Sequence, residues 1–473
     1  MLNEISQDLD MTHHAKISSL PRTSAPRFKV YTERHLDQIP QLKRLSEEQR
    51  FNMCVVAQVL PFRINPYVIE HLIDWNNIPA DPIFQLTFPQ PGMLMPGEFD
   101  RMAALLKKGA DRAEVKTLAD EIRSGLNPHP AGQQQMNVPQ ADGQEIPGMQ
   151  HKYRETVLFF PSQGQTCHTY CTFCFRWAQF VGIQELRFAS NDAEQLHCYL
   201  AAHPQVSDLL MTGGDPMVMK THHLADYLRP LLQPEFAHIQ TIRIGSKALT
   251  YWPYRFTSDD DADDLMYLFE ELVAAGKHVA FMAHLNHWRE LEPPQVQEAI
   301  RRVRSTGAVI RGQGPLLAHI NDEASVWTRL WRTQVRLGII PYYMFVERDT
   351  GARCYFEVSL TQAWDIYRTA ISQVSGLART ARGPSMSACP GKVEVQGITE
   401  IGGEKVFVLR FIQSRNPDWV QRPFFAQFDP HATWLNQLKP AFGESHFFFE
   451  PEYQTMCSST SGNHEAEIDG SYN

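Results

Sequence analysis

The chain has 473 residues, with 44 Lys and Arg against 53 Asp and Glu for a net charge of -9. That length buries a sizeable core, in one large domain with attachments or in two or three ordinary ones, and an acidic balance without a long basic run argues against a dedicated nucleic-acid binder. No apolar stretch reaches the roughly 18 residues that a membrane helix needs, the N-terminus has no basic-then-apolar leader, and eight cysteines are too dilute for a disulfide framework. The expectation is a cytoplasmic protein with neither membrane nor nucleic acid as partner.

Residues 1–50 read as a polar, loosely held segment. Helical spacing of apolar residues then begins, an amphipathic helix pair covers 99–126, and a stretch rich in Pro, Gly and Gln (127–148) reads as a linker, so 51–150 form a helical N-terminal region. From residue 151 short β-branched or apolar runs alternate with helix-period segments. The runs lie at 155–160, 207–212, 239–246, 278–284, 308–313 and 339–345. Six such units in series imply an α/β fold with a parallel sheet, and six fall short of the eight that close a full barrel. A partial (β/α)6 TIM-like barrel over 151–380 follows, with its sites at the C-terminal strand ends. Residues 381–455 read as a C-terminal extension containing a β segment with a Gly-Gly turn, and 456–473 as a disordered polar tail.

The strand ends carry the polar residues worth naming. "QTCHTYCTFCFRW" (165–177) follows the first run and spaces Cys167, Cys171 and Cys174 as C-x3-C-x2-C. At this cysteine content such a spacing arises by chance in roughly two of every thousand chains. A structural zinc site wants four ligands, commonly as two pairs, and there is no second pair; His168 lies awkwardly inside the loop. Three thiolates suit a [4Fe–4S] cluster with one iron left open for substrate, with a closed zinc site as the alternative. Cys54, Cys198, Cys354, Cys389 and Cys457 are scattered and read as small apolar residues or idle thiols. "GGDP" follows the second run, His284 and Asn286 the fourth, Gln313 ends the fifth, and Glu347 and Arg348 follow the sixth.

The three cysteines, with Phe173 just before the last of them, resemble the radical S-adenosylmethionine (SAM) superfamily. That resemblance implies a cluster held by Cys167, Cys171 and Cys174, SAM on the open iron, and reductive cleavage to a 5′-deoxyadenosyl radical that abstracts a substrate hydrogen. It implies SAM contacts from Phe173, Gly213, Gly214, Asp215, His284 and Gln313. Over roughly residues 55 to 415 the chain resembles the lysine 2,3-aminomutase family, through "LPFRINPYVIEHLID", "TGGDPM", "RIGSKALTYWPYRFT", "HLNHWRELEPPQVQEAI", "GQGPLLAHINDE" and "IIPYYMF" in order. The family's substrate-carboxylate arginine falls on Arg176 and its pyridoxal phosphate (PLP) lysine on Lys392.

The sequence also departs from that family. "SACPGKVEV" lacks three of the glycines that cradle the PLP phosphate, and Thr156 stands where a phosphate-binding arginine is found, with Arg154 nearby. Arg348 and approximately Ser387 occupy the positions of two aspartates that hold the ammonium of free L-lysine. Cation facing cation repels, so the resemblance implies an amino-acid-like substrate with an anionic side chain, unless Asp349 takes the acid's place through a register shift. An aminomutase-type 1,2-amino shift is the leading expectation. A PLP-independent radical oxidation, epimerisation or rearrangement is the alternative, lysine modification on a translation factor a third, and a metal-stabilised interaction protein the non-enzyme reading. A flavodoxin or ferredoxin is implied as electron donor, and a homo-oligomer stays open.

Overall fold

The computed structural model describes residues 26–127, 136–141, 143–183 and 187–465, with 141 and 459–465 as backbone only. Eleven strands form one sheet in strict chain order. They are β1 (Met149–Tyr153), β2 (Thr156–Phe159), β3 (Asp208–Met211), β4 (Thr241–Ser246), β5 (His278–His284), β6 (Val309–Leu316), β7 (Ile340–Val346), β8 (Arg382–Ser387), β9 (Gly391–Ile401), β10 (Glu404–Ser414) and β11 (Pro423–Gln427). Each neighbouring pair from β2 to β8 is parallel. β1 and β9 to β11 add antiparallel edges.

The strands read from the sequence are β2 to β7, displaced by no more than a few residues. A parallel strand covered by helices on its crossover side and by core on the other is apolar on both faces. β5, HVAFMAH, buries its five central residues. The helices are α1 (Glu47–Val59), α2 (Pro96–Lys107), α3 (Arg112–Leu126), α4 (Ala193–Ala202), α5 (Thr221–Leu228), α6 (Ala262–Ala274), α7 (Pro294–Ser305), α8 (Ala324–Arg336), α9 (Leu360–Ser372) and α10 (Glu450–Glu465). α4 to α9 connect the parallel strands. α6 starts with Asp263 and Asp264, which suit the positive end of its dipole, and presents Leu265, Leu268, Phe269 and Leu272 to the core at helical spacing. Each such side chain contributes about 1.5–3 kcal/mol on burial.

Three boundaries differ from expectation. Residues 26–50 are not loose: two 3-10 turns, Glu33–Gln38 and Pro40–Arg44, bury Leu36, Ile39, Leu42 and Leu45. Three-residue spacing puts these side chains on one face of a 3-10 turn, a pattern diluted by the charges between them. The extension is not separate from the sheet either, since β8 continues the parallel run and β9–β10 form a hairpin on it. Its turn is Gly402–Gly403, with φ of 61° and 85°, a region that favours glycine at both positions. α10 runs into the span read as tail; residues 1–25 and 466–473 lie outside the described residues.

The sheet curls so that β1 comes back against the loop between β8 and β9. Lys152 Nζ of β1 donates to Ala388 O at 2.6 Å, and Arg415, just past β10, donates to Cys389 O at 2.9 Å and to Met136 O at 3.1 Å. Among the described residues no helix is long and apolar enough to cross a membrane.

Candidate active site

The loop after β2 carries the three cysteines, and the N-terminal region holds it from outside. Tyr170 N donates to Arg63 O (2.8 Å) and Thr172 N to Leu86 O (3.0 Å), while Thr172 Oγ1 donates to Gln85 O at 2.8 Å. Asn65 is buried and caps the short helix Pro66–His71. Its Nδ2 reaches His168 O (3.2 Å), Thr169 Oγ1 (3.0 Å) and Tyr251 O (2.9 Å). Cys174 N closes onto Cys171 O at 3.2 Å and Trp177 N onto Cys174 O at 3.0 Å, so the last two cysteines share one tight turn.

No cysteine is in a disulfide. Burial pushes the thiols up, Cys171 to about 12 and Cys174 to about 11, with Cys167 well above its ordinary value. Cys167 feels the charges of Cys174 and Cys171, and Cys171 that of Cys174, so the three stand as one group. Among the described residues no three His, Cys, Asp or Glu side chains converge as ligands of a single ion. Thiolates on three different irons of a cubane need not converge in that way.

The glycine loop packs directly on this turn. Asp215 N donates to Gly164 O at 3.0 Å. A Cβ on Gly214 would sit 2.6 Å from Thr166 N and 2.5 Å from Thr166 O, and one on Gly213 2.6 Å from Gln165 Nε2. These glycines are what allow the two backbones to touch. Asp215 is buried; its carboxylate accepts from Met217 N (2.9 Å) and Lys247 N (3.0 Å), tying the end of β3 to that of β4. Burial raises it to about 6 against those hydrogen bonds.

Arg176 lies across the same junction. Its Nη1 donates to Gly213 O at 3.2 Å, and its guanidinium sits 3.9 Å from the Phe160 ring centroid. Burial lowers it to about 10, opposed by Cys174 and Cys167. The remaining donors of the fork stay available for a planar anion. Phe173 stacks on His284 with centroids 5.6 Å apart and 18° between planes. Burial, with Lys247 nearby, brings His284 down to about 3, so it is neutral. Gln313 pairs in register with His284 on one side and Tyr343 on the other, continuing that row across the sheet.

Lys392 stands further along this row. Its Nζ is 4.3 Å from the Tyr343 centroid and donates to Gln413 Oε1 at 3.2 Å; its strand neighbour is Ser387. Burial, then the charges of Arg243 and Arg382, lower it to about 7. It is therefore not a surface lysine, and much of it is neutral near pH 7. Thr156 does not face this region as an anion binder, because it donates to Asp208 Oδ2 at 2.9 Å and Asp208 pairs with Arg243. Arg348 lies 5.3 Å from the Phe175 centroid and 5.9 Å from that of Trp434. Its Nε is 3.9 Å from Asp349 Oδ1, so Asp349 faces the arginine.

Sequence reasoning missed Asn65, Tyr251, Lys152 and the buried group around Lys247. Lys247 Nζ donates to Glu290 Oε2 (2.6 Å), Asn286 Oδ1 (2.9 Å) and His284 O (3.2 Å). The Asn-Pro step at 65–66 was the available signal, an N-cap followed by proline at the first helical position. Lys152 carries no local signal at all.

The protein is similar to named relatives along most of its length. A provisionally named L-lysine 2,3-aminomutase of Aquifex aeolicus (strain VF5) is 28% identical over 403 residues, 85% of this chain and 94% of that one. The L-lysine 2,3-aminomutase of Escherichia coli (strain K12) is 28% identical over 236 residues, 49% of this chain and 63% of that protein. The L-lysine 2,3-aminomutase of Bacillus subtilis (strain 168) is 23% identical over 349 residues, 74% of this chain and 64% of the relative. The last two matches span slightly under two thirds of the relatives' length. No family model matches the chain. Among solved structures, a radical SAM methyltransferase from Sphaerobacter thermophilus aligns with a TM-score of 0.37 at 15% identity, covering 63% of this chain and 94% of that one, a likeness too low to bear on fold or function.

A thiol triplet at the end of a parallel strand, with relatives that carry an enzyme's name, supports reading the chain as an enzyme of the radical SAM kind. Along most of its length the chain is similar to proteins named L-lysine 2,3-aminomutase, from which it diverges at 23% to 28% identity.

Proposed function

We propose that Cys167, Cys171 and Cys174 hold a [4Fe–4S] cluster, that SAM lies between the cluster and the row Phe173, His284 and Gln313, and that the substrate is a small amino acid with an anionic side chain. The parallel run β2 to β7 with its helices is, on this reading, a partial (β/α)6 barrel with the site at its C-terminal mouth. The observation that carries the proposal is the contact of the cysteine turn with the glycine loop, Gly214 against the Thr166 backbone. Two motifs about 40 residues apart in sequence have no reason to interlock this closely unless they serve one site.

Held by the three cysteines, a cluster would supply the one-electron reduction of SAM on which hydrogen abstraction from substrate depends. The chain's own residues do the rest. Gly213 and Gly214 bring backbone within reach of the SAM amino group, neutral His284 and Phe173 form an apolar wall, and Arg176 takes the substrate carboxylate with its free donors. Arg348, on the far side of Phe175, takes the second anion. Free L-lysine does not suit this pair, because its ammonium would face a guanidinium in a dry site. Asp349 faces that guanidinium, which weakens the view that it replaces the missing acid.

PLP is supported by Lys392, a part-neutral amine inside the curl. It lacks the glycine cradle, so a phosphate would rely on cations of this region, Arg382 among them, rather than on backbone N–H groups. A PLP-free radical rearrangement is the second reading, favoured by that shortened loop. Anaerobic reconstitution with iron and sulfide should give about four irons per chain and 5′-deoxyadenosine from SAM with a reductant such as a flavodoxin or ferredoxin. Colourless protein with one zinc would refute the proposal. A bound-PLP absorbance band that vanishes in Lys392→Ala would decide between the two readings.

A further inference from the structure

Tyr251 ends the short helix Ala248–Tyr251 that follows β4, and it is 1% exposed. Its hydroxyl finds no hydrogen-bond partner of full geometry, and the group it lies against is the Cys171 thiol. Burying a hydroxyl without a partner is costly, and such an orphan in a folded interior asks for an explanation.

Its surroundings are specific. The Tyr251 carbonyl accepts from Asn65 Nδ2, the group that also reaches His168 O and Thr169 Oγ1, so the residue is fixed to the cysteine loop through a single side chain. Trp252, next along, lies parallel to His168 with centroids 6.3 Å apart and 14° between planes. The Lys247 ammonium sits 4.5 Å from the Tyr251 ring centroid, held there by Glu290, Asn286 and His284 O. The ring is thus clamped from its backbone and from one face. The cysteine its hydroxyl interacts with is Cys171.

A neutral thiol is a poor acceptor, whereas a metal-bound thiolate is a good one. We propose that the Tyr251 hydroxyl donates a hydrogen bond to the Cys171 sulfur once that sulfur is an iron-bound thiolate, and thereby raises the reduction potential of the cluster. This rests on the cluster reading above. One electron from an external reductant adds negative charge that is shared by the sulfurs, and a donated hydrogen bond stabilises that charge; hydrogen bonds to the sulfurs are among the features that set such potentials. No covalent bond forms or breaks, and the proton stays on the phenol. The Lys247 ammonium over the ring draws density from it and makes the hydroxyl a better donor. Tyr251 is in this account a tuning residue, outside any contact with substrate.

The test uses the full chain, reconstituted anaerobically with iron and sulfide, as wild type, Tyr251→Phe and the control Tyr254→Phe. Redox titration with dithionite, followed by electron paramagnetic resonance, should shift the Tyr251→Phe midpoint to a more negative value. At a fixed poise near the wild-type midpoint the variant should hold about threefold less reduced cluster, while Tyr254→Phe titrates like wild type. An exchangeable-proton coupling to the reduced cluster, lost in deuterated buffer, should be present in wild type and absent in Tyr251→Phe. A wild-type midpoint in Tyr251→Phe, at equal iron content, overturns the inference and leaves the cluster reading intact. If that variant does not fold, absence of the exchangeable coupling in wild type overturns it equally. Failure of wild type to take up iron overturns the cluster reading and this inference with it.

Discussion

The two ends of the site are built by different means. At the cysteine end, backbone touches backbone: Asp215 N on Gly164 O, Gly214 on Thr166, and Asn65 joining three segments. At the Lys392 end, long side chains meet across aromatic faces and no loop cradles an anion, as with Lys392 over Tyr343 and Arg348 near Phe175 and Trp434. Backbone packing fixes one geometry, while long cations on aromatic faces can be exchanged and re-aimed at little cost. On the proposed function, the end that makes a radical is the rigid part, and the end that selects the substrate is the one free to diverge.

The largest effect that would break this comparison lies at the rigid end. Cys171→Ala should reduce iron uptake and 5′-deoxyadenosine formation to background, read by iron assay and chromatography; retention of both would remove the cysteine from the site. Next, Gly214→Ala should cost about 1–3 kcal/mol of stability, the range for overpacking, because Thr166 meets the new Cβ with backbone rather than with a flexible tip. SAM binding should weaken with it, measured by calorimetry beside a thermal melt.

At the adaptable end the effects should be smaller and confined to binding. Arg348→Ala should leave 5′-deoxyadenosine formation without substrate unchanged and weaken binding of a dicarboxylic amino acid by about 1.5–3 kcal/mol, the range for a hydrogen bond to a charged group. Equal affinity in the variant would show that the second anion lies elsewhere. For Lys392, a folded value of about 7 against an ordinary 10.5 means that the unfolded chain binds the extra proton between those limits. Stability should then rise with pH from about 7 towards 10.5 through this group, so wild type should gain melting temperature over that window relative to Lys392→Met. A parallel pair of pH curves would place the amine in water. The smallest effect belongs to Cys354, which is exposed: its change to Ala should stay within about 0.5 kcal/mol.

What could be read from the sequence divides along the same line. β2 to β7 are legible because fully buried strands are short apolar runs, and their order follows from right-handed connections. The cysteine turn and the glycine loop announce themselves by residue type and spacing. Leu36, Ile39, Leu42 and Leu45 were hidden because a 3-10 period among charged residues resembles neither helix nor strand. Lys392 was singled out by the resemblance alone, since its residue type is mostly exposed; it is inside because β9 continues the sheet and Tyr343 covers it. Lys152 and Arg415 could not be placed without knowing that β1 returns to the loop between β8 and β9, a property of the whole curl that no window of sequence contains.

The closure of that curl also sets an order of events during synthesis. Lys152 meets Ala388, 236 residues later, and at about 5–20 residues per second the ribosome needs roughly 12–47 s to deliver the partner. For that interval the cysteine turn is made but the seam beside it is open. A nascent chain is then a set of thiols waiting for a wall, and on the proposed function iron–sulfur assembly would have its moment before the last strands arrive.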